Sequence, residues 1–319
     1  MLSTRWNVLF FATPEFALPS LKVLFDHPLV NLSHIVSMPD RPVGRGQQVK
    51  SPPVIEFAKS HHVPFTQTEN INNEKEFLDS LQNKVDLIIV LAFAQFLKEP
   101  WLKLPRLGCF NIHTSLLPRY RGAAPIQYAL LNNDCETGVC IQKMVQKMDA
   151  GDVALERKIK INEFENAGTL TQRLQLEAAL ALSDFLTNLK EDKLVYKKQN
   201  ELEVSFAPEI RKEAGHLDFS LLSRQEVLNR LRAYSPWPGL FIFLNNKRLK
   251  ILNLDNPQPS TLYQALPGEI KSINQCLIIG CHDGPLRLSS VQPEGKSATS
   301  DENFLRGWRE SLVITKGPK

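Results

Sequence analysis

Asn111 and His113 are separated by a single apolar residue in the run Cys109-Phe110-Asn111-Ile112-His113. On an extended strand, side chains two apart share a face, so this spacing sends an amide and an imidazole to one point. The pair suits a reaction in which a carbonyl oxygen gains negative charge while a proton moves. The run Ser115-Leu116-Leu117-Pro118-Arg119-Tyr120-Arg121-Gly122 follows at once and reads as a loop that turns sharply and can lie against a ligand. A third candidate is Asp149, in Met148-Asp149-Ala150-Gly151-Asp152, where the glycine permits a tight turn that aims a carboxylate into a cleft. An Asp beside a His orients the ring and favours its charged form. The pattern alone leaves open whether Asp149 reaches His113. A lone His at a strand end and an Asp-Ala-Gly turn are also compatible with purely structural roles.

The elements that must position these residues alternate between strand and helix. Asn7–Ala12 is a continuous apolar run, as in a strand covered on both faces. Thr13-Pro14-Glu15 then reads as a helix start, with Thr13 as the cap. Strands are expected at Ile35–Met38, Val85–Ala92, Cys109–His113, Gly138–Val145 and Asp152–Ile161, with a helix at Ala124–Leu131. This order predicts an α/β, Rossmann-like, mostly parallel sheet with helices on both faces. No G-x-G-x-x-G turn opens the first helix, which argues against a nicotinamide dinucleotide. In such sheets the site lies beyond the carboxyl ends of the strands, where Asn111 and His113 fall.

Leu170, Leu174, Ala178, Ala181, Phe185 and Leu189 form the apolar stripe of an amphipathic helix. The expected domains are residues 1–189, a linker at 190–207 and a C-terminal domain at 208–319. In that last part Ser223 and Glu226 form a capping-box pattern. Leu240–Leu244 and Leu249–Leu254 flank Asn245-Asn246, a hairpin signal. Further short strands are expected at Glu269–Ile273, Cys276–Gly280 and Leu286–Val291, which suggests a small, OB-like β-barrel.

The chain has 319 residues, 43% hydrophobic and 23% charged, the composition of a globular protein. No apolar run approaches the roughly 18 residues needed to span a bilayer, and the run at Val8–Ala12 is cut by Pro14 and Glu15 rather than built as a signal peptide. A cytoplasmic location without membrane contact is therefore expected. The five cysteines are expected to be reduced. Cys135/Cys140 and Cys276/Cys281 lack partners at finger spacing, so no metal site is expected. From residue 208 onward there are 15 Lys+Arg and 11 Asp+Glu, while the first 207 residues hold 23 of each. The whole excess of +4 sits in the C-terminal part, a weak pointer to a polyanionic partner.

Asn111-Ile112-His113 with Ser115–Gly122 and then Asp149 resembles the folate-dependent formyltransferase family. A second match is Pro39-Asp40-Arg41-Pro42-Val43-Gly44-Arg45-Gly46 followed by Ser51-Pro52-Pro53-Val54, and a third is Pro236-Trp237-Pro238. The resemblance runs through about residue 310. It implies transfer of a formyl group from 10-formyltetrahydrofolate to the α-amino group of methionine on initiator tRNA, with no metal required; nothing in the sequence demands more than a monomer. It implies catalytic roles for Asn111, His113 and Asp149, and a folate pocket that includes Ser115, Leu116, Leu117 and Pro118. It also implies tRNA contacts from Arg41, Arg45 and Lys50 in the Pro39–Lys50 loop, and from Lys247, Arg248 and Lys250 on the barrel. The chain departs from the family pattern in three places: Ala12 and Thr114 stand where Gly is common, and Leu91-Ala92-Phe93-Ala94 replaces a run usually carrying Tyr and Gly. The rival readings are a formyltransferase acting on a sugar amine or a glycinamide nucleotide, and a non-catalytic tRNA-binding protein. A one-domain glycinamide enzyme fits a two-domain chain poorly.

Overall fold

A computed structural model describes residues 5–43, 46–257 and 262–317. In chain order the elements are β1 (Trp6–Ala12), α1 (Leu18–Asp26), β2 (Val30–Ser37), β3 (Arg41–Val43), β4 (Gln48–Lys50), α2 (Pro53–Ser60), β5 (Phe65–Gln67) and α3 (Lys75–Ser80). Next come β6 (Leu87–Leu91), α4 (Glu99–Lys103), β7 (Cys109–His113), α5 (Pro125–Leu131), β8 (Glu136–Lys143), β9 (Val153–Lys160) and α6 (Ala167–Lys190). The remainder are α7 (Arg224–Ala233), β10 (Leu240–Leu244), β11 (Lys247–Asp255), β12 (Ile270–Ile273), β13 (Cys276–Cys281), β14 (Gly284–Pro293), β15 (Thr299–Ser300), α8 (Asp301–Gly307) and β16 (Ile314–Thr315). They divide into two compact units. One holds residues 1–125, 136–160 and 171–208, and the other residues 126–135, 161–170 and 209–319.

The first unit is built on one sheet in the order β5-β2-β1-β6-β7-β8-β9. The strands from β5 to β7 are parallel, and β8 and β9 add antiparallel to the β7 edge. The apolar runs become the central strands: Val8–Ala12 and Leu87–Leu91 are buried throughout. Both faces are covered, as the run pattern requires. Phe110 of β7 packs on Phe185 of α6 at 4.7 Å between ring centres. Its neighbour Cys109, on the opposite face by strand alternation, lies in an apolar cluster with Phe11, Val90, Phe93 and Trp101. Asn111 and His113 therefore share the face of Cys109, at the carboxyl end of their strand.

The sequence expectation fails at the first helix. Pro14 stands at the N-cap of a single 3-10 turn at Glu15–Ala17, and the α-helix begins only at Leu18. Thr13 does not cap it; its Oγ1 accepts from the Ser37 hydroxyl and the Met38 N–H, both at 3.4 Å. A long-range tie to β2 has displaced the local cap.

The second unit carries an antiparallel sheet in the order β12-β13-β14-β11-β10-β16, curled as half of a small barrel. Asn245 and Asn246, at φ 48° and 63°, make the two-residue turn between β10 and β11, which only left-handed residues satisfy. The Ser223–Glu226 capping box forms in full at the start of α7. Asp301, fully buried at the start of α8, accepts from Arg287 Nε at 2.8 Å and Leu277 N–H at 3.1 Å. This charge-assisted pair clips α8 to β13 and β14. All five cysteines are unpaired, and only Cys135 is exposed.

Candidate active site

β7 and β8 set the frame. Their antiparallel register places Asn111 opposite Gln142 and His113 opposite Cys140. The chain then leaves β8, turns through residues 144–152 and returns as β9. Within this turn Asp149 is left-handed at φ 50°, a conformation Asp tolerates better than most residues. Gly151 is required for a different reason from the one the sequence suggests. A Cβ there would sit 1.6 Å from the Lys143 carbonyl oxygen, so close backbone approach excludes any side chain.

The turn brings the Asp149 carboxylate to both strand residues. Its Oδ1 accepts from Gln142 Nε2 at 2.8 Å and lies 3.5 Å from Asn111 Nδ2. Its Oδ2 accepts from the Gly122 backbone N–H at 2.9 Å and lies 3.8 Å from His113 Nδ1. The side chains of His113 and Asp149 are only 6% and 12% exposed. His113 Nε2 sits 2.9 Å from the Tyr120 carbonyl oxygen. A carbonyl can only accept, so Nε2 carries the proton and Nδ1 is the nitrogen left to exchange one. Asn111 Nδ2 and His113 Nδ1 thus point at Asp149 without closing a short hydrogen bond to it, while Asp149 is anchored by two short bonds from elsewhere. The arrangement holds one amide donor and one imidazole nitrogen available for a reacting carbonyl group.

The loop after β7 is folded on itself. Ser115 is fully buried and its hydroxyl donates to the Arg119 carbonyl at 2.6 Å. Leu117 packs with Cys140 and Val153, while Leu116 and Pro118 are half-buried. Burial pushes the Cys140 thiol up to about 12, so it stays protonated beneath the loop. In the loop after β6, Ala92 and Ala94 have φ of 50° and 64°. Each left-handed alanine costs about 1–2 kcal/mol that a glycine would not. Phe93 between them is buried against Phe11.

Gln142, Gln199, Arg121 and the backbone of Tyr120 and Gly122 complete the site; Tyr120, Arg121 and Gly122 belong to the run that the sequence marks as a ligand-facing loop, but the sequence assigns none of these residues a role of its own. Gln142 left one signal: it is a polar residue ending the apolar run Val139-Cys140-Ile141. Gln199 left none, because it reaches the turn from 50 residues away.

The candidate tRNA residues fall in two places. Arg41 and Lys50 are cross-strand partners in the β3–β4 hairpin. Arg41 is paired with Glu69 at 2.6 Å with both side chains well exposed. Arg45 lies outside the described residues. Lys247, Arg248 and Lys250 lie on β11 of the second unit, where alternation sets Arg248 and Lys250 on the face opposite Leu249. Lys247 pairs with Glu310 at 2.9 Å, and the Arg248 guanidinium lies 3.8 Å from the Phe241 ring centre.

Known proteins agree with this architecture. The family described as formyl transferase matches residues 6–186, and its C-terminal domain matches residues 209–309. The chain belongs to the formyl transferase family. It is 36% identical over 312 residues to the methionyl-tRNA formyltransferase of Geobacter metallireducens, covering 98% of each chain. It is 38% identical over 302 residues to the methionyl-tRNA formyltransferase of Caldanaerobacter subterraneus, covering 94% of this chain and 96% of that one. Among solved structures, WlaRD, a sugar 3N-formyl transferase, matches with a TM-score of 0.65 at 18% identity, over 92% of this chain and 99% of that one. HypX from Aquifex aeolicus, in complex with tetrahydrofolic acid, matches with a TM-score of 0.60 at 15% identity. That match covers 98% of this chain but 51% of HypX, and at such identities both likenesses are of fold.

Proposed function

We propose that this chain moves the formyl group of 10-formyltetrahydrofolate onto the α-amino group of methionyl initiator tRNA, with Asn111, His113 and Asp149 as the catalytic group. The observation that carries the site assignment is the convergence of Asn111 Nδ2 and His113 Nδ1 on a carboxylate that other residues already anchor. The substrate assignment rests on full-length similarity to methionyl-tRNA formyltransferases.

An α-amino group titrates near about 7.7–8.0, so a useful fraction is neutral at neutral pH and no covalent enzyme intermediate is needed. Its lone pair forms the new C–N bond, and the formyl carbonyl electrons move onto oxygen. Asn111 Nδ2–H is the donor for that oxygen, a contribution of about 3–4 kcal/mol for one well-placed donor. The bond to the folate nitrogen then breaks and its electron pair takes up a proton, while the attacking nitrogen gives one up. His113 Nδ1 is the atom that relays this proton, because the Tyr120 carbonyl commits Nε2. Asp149 faces Nδ1 and compensates the charge that the ring gains.

The side chains suit a formyl carbonyl and its neighbouring nitrogen: a neutral amide, an imidazole and a carboxylate, with Cys140 of the apolar cluster Leu117, Cys140 and Val153 opposite His113. Ser115 shapes the loop, and Leu116, Leu117 and Pro118 supply its apolar surface. Arg41, Arg45 and Lys50 are assigned to the acceptor end of the tRNA, and Lys247, Arg248 and Lys250 to its backbone, through phosphate contacts.

The test offers 10-formyltetrahydrofolate with methionyl-tRNA, a sugar amine and a glycinamide nucleotide in turn, using wild type and Arg41→Ala. Formylation of methionyl-tRNA alone is expected. Arg41→Ala is expected to weaken use of tRNA and leave the folate KM unchanged. Turnover of either small amine in preference to tRNA would overturn the substrate reading, and an equal loss toward both substrates would remove Arg41 from the tRNA site.

A further inference from the structure

The stretch after α6 belongs to the first unit and returns to the active-site turn. Gln199 Nε2 donates to the backbone carbonyls of Asp149 and Gly151, both at 2.7 Å. Its Oε1 accepts from Arg121 Nε at 3.0 Å and Nη2 at 2.8 Å. The surroundings fix the orientation of this amide, because the guanidinium offers only donors and the two carbonyls only acceptors. Arg121 is 1% exposed and continues to Glu201 Oε1 at 2.9 Å, and Glu201 Oε2 accepts from Lys147 at 2.7 Å. The two residues beside Arg121 are the ones that grip the catalytic side chains: the Tyr120 carbonyl receives His113 Nε2–H, and the Gly122 N–H holds Asp149 Oδ2. The same stretch ties that backbone down. Arg121 N–H donates to the Ser205 carbonyl at 2.9 Å, Ala207 N–H to the Arg121 carbonyl at 2.8 Å, and Tyr120 N–H to Ser205 Oγ at 2.9 Å.

We propose that Arg121 and Gln199 are positioning residues: the buried guanidinium orients the Gln199 amide, which keeps Asp149 in its left-handed turn with the carboxylate facing His113. The segment 199–207 is then a strap across the active-site turn. The inference rests on the assignment of His113 and Asp149 to catalysis. A glutamine is the residue the geometry requires. A carboxylate would set an oxygen against two carbonyls at 2.7 Å, and a shorter side chain would leave both carbonyls and the guanidinium without their partner.

The test is a double-mutant cycle in the full chain between Gln199→Ala and Asp149→Asn, read as kcat and the folate KM, with thermal melting alongside. Gln199→Ala is expected to lower kcat about tenfold or more, as a misplaced catalytic group does, with the folate KM changed less than about threefold. In the Asp149→Asn background the same change is expected to have almost no further effect. Gln199→Glu keeps its bond to Arg121 while turning an oxygen on the Asp149 carbonyl, so it is expected to fold normally and still lose kcat. Multiplying effects in the cycle, normal kcat in a folded Gln199→Glu, or unfolding of both Gln199 variants would each overturn the proposal. Wild-type turnover of Asp149→Asn would instead overturn the catalytic assignment beneath it.

Discussion

Replacing Asn111 by Ala separates catalysis from stability. Among the described residues the Asn111 side-chain amide donates one hydrogen bond within the site, 3.5 Å to Asp149 Oδ1, at the outer limit of a hydrogen bond. Asp149 Oδ1 keeps its 2.8 Å bond from Gln142 when that contact is lost, so no buried acceptor is orphaned. The expected stability cost is therefore below about 1 kcal/mol, or a few degrees in melting temperature for a domain of this size. The proposed mechanism predicts a larger catalytic cost, because in it the amide meets its acceptor only when the formyl oxygen becomes negative. Loss of one such donor lowers kcat by about 10²–10³, or roughly 3–4 kcal/mol. The assay is formylation of methionyl-tRNA at saturating 10-formyltetrahydrofolate, with circular-dichroism melting of the same preparation. A folded Asn111→Ala variant within tenfold of wild-type kcat would refute the donor role. A melting temperature that collapses together with activity would make Asn111 a structural residue and refute the separation of the two costs.

Gly122→Ala is expected to damage both properties. Its Cβ would lie 2.7 Å from the Ala207 carbonyl oxygen at a φ of 124°, so a loss of about 2 kcal/mol or more in urea denaturation and a fall in turnover should appear together; unchanged stability would show that the strap yields easily. Glu201 is held down to about 2 by hydrogen bonds from Arg121 and Lys147. A depressed carboxylate contributes above its unfolded pKa and loses that contribution as pH falls toward its folded one. The stability difference between wild type and Glu201→Gln should thus be constant from neutral pH to about 5 and shrink from about 4.5 toward 2. A difference that grows on acidification would contradict the ion pairing.

The strands that build the site were legible because continuous apolar runs have one economical solution, a sheet buried on both faces. The β7 strand Cys109–His113 matches its sequence expectation at both ends. The capping box was legible because it is satisfied within a few residues, and the Asn-Asn hairpin because the left-handed dihedrals of a two-residue turn are a local preference of Asn. Thr13 departs from its expected role for the converse reason: its hydroxyl has a local use and a distant one, and the distant partners at the end of β2 prevail.

By itself the sequence determined that an amide and an imidazole share one face at a strand end, since alternation is a property of any extended chain. It also carried the motifs that resemble folate-dependent formyltransferases. Only the tertiary structure decided that Asp149 faces them, that Nε2 of His113 meets a carbonyl while Nδ1 does not, and that Gln199 is hydrogen-bonded to both Arg121 and the Asp149 backbone. Those outcomes depend on hydrogen bonds across 7 to 78 residues of chain. Such bonds leave no periodic trace in the sequence, because each partner's position is set by the packing of other elements.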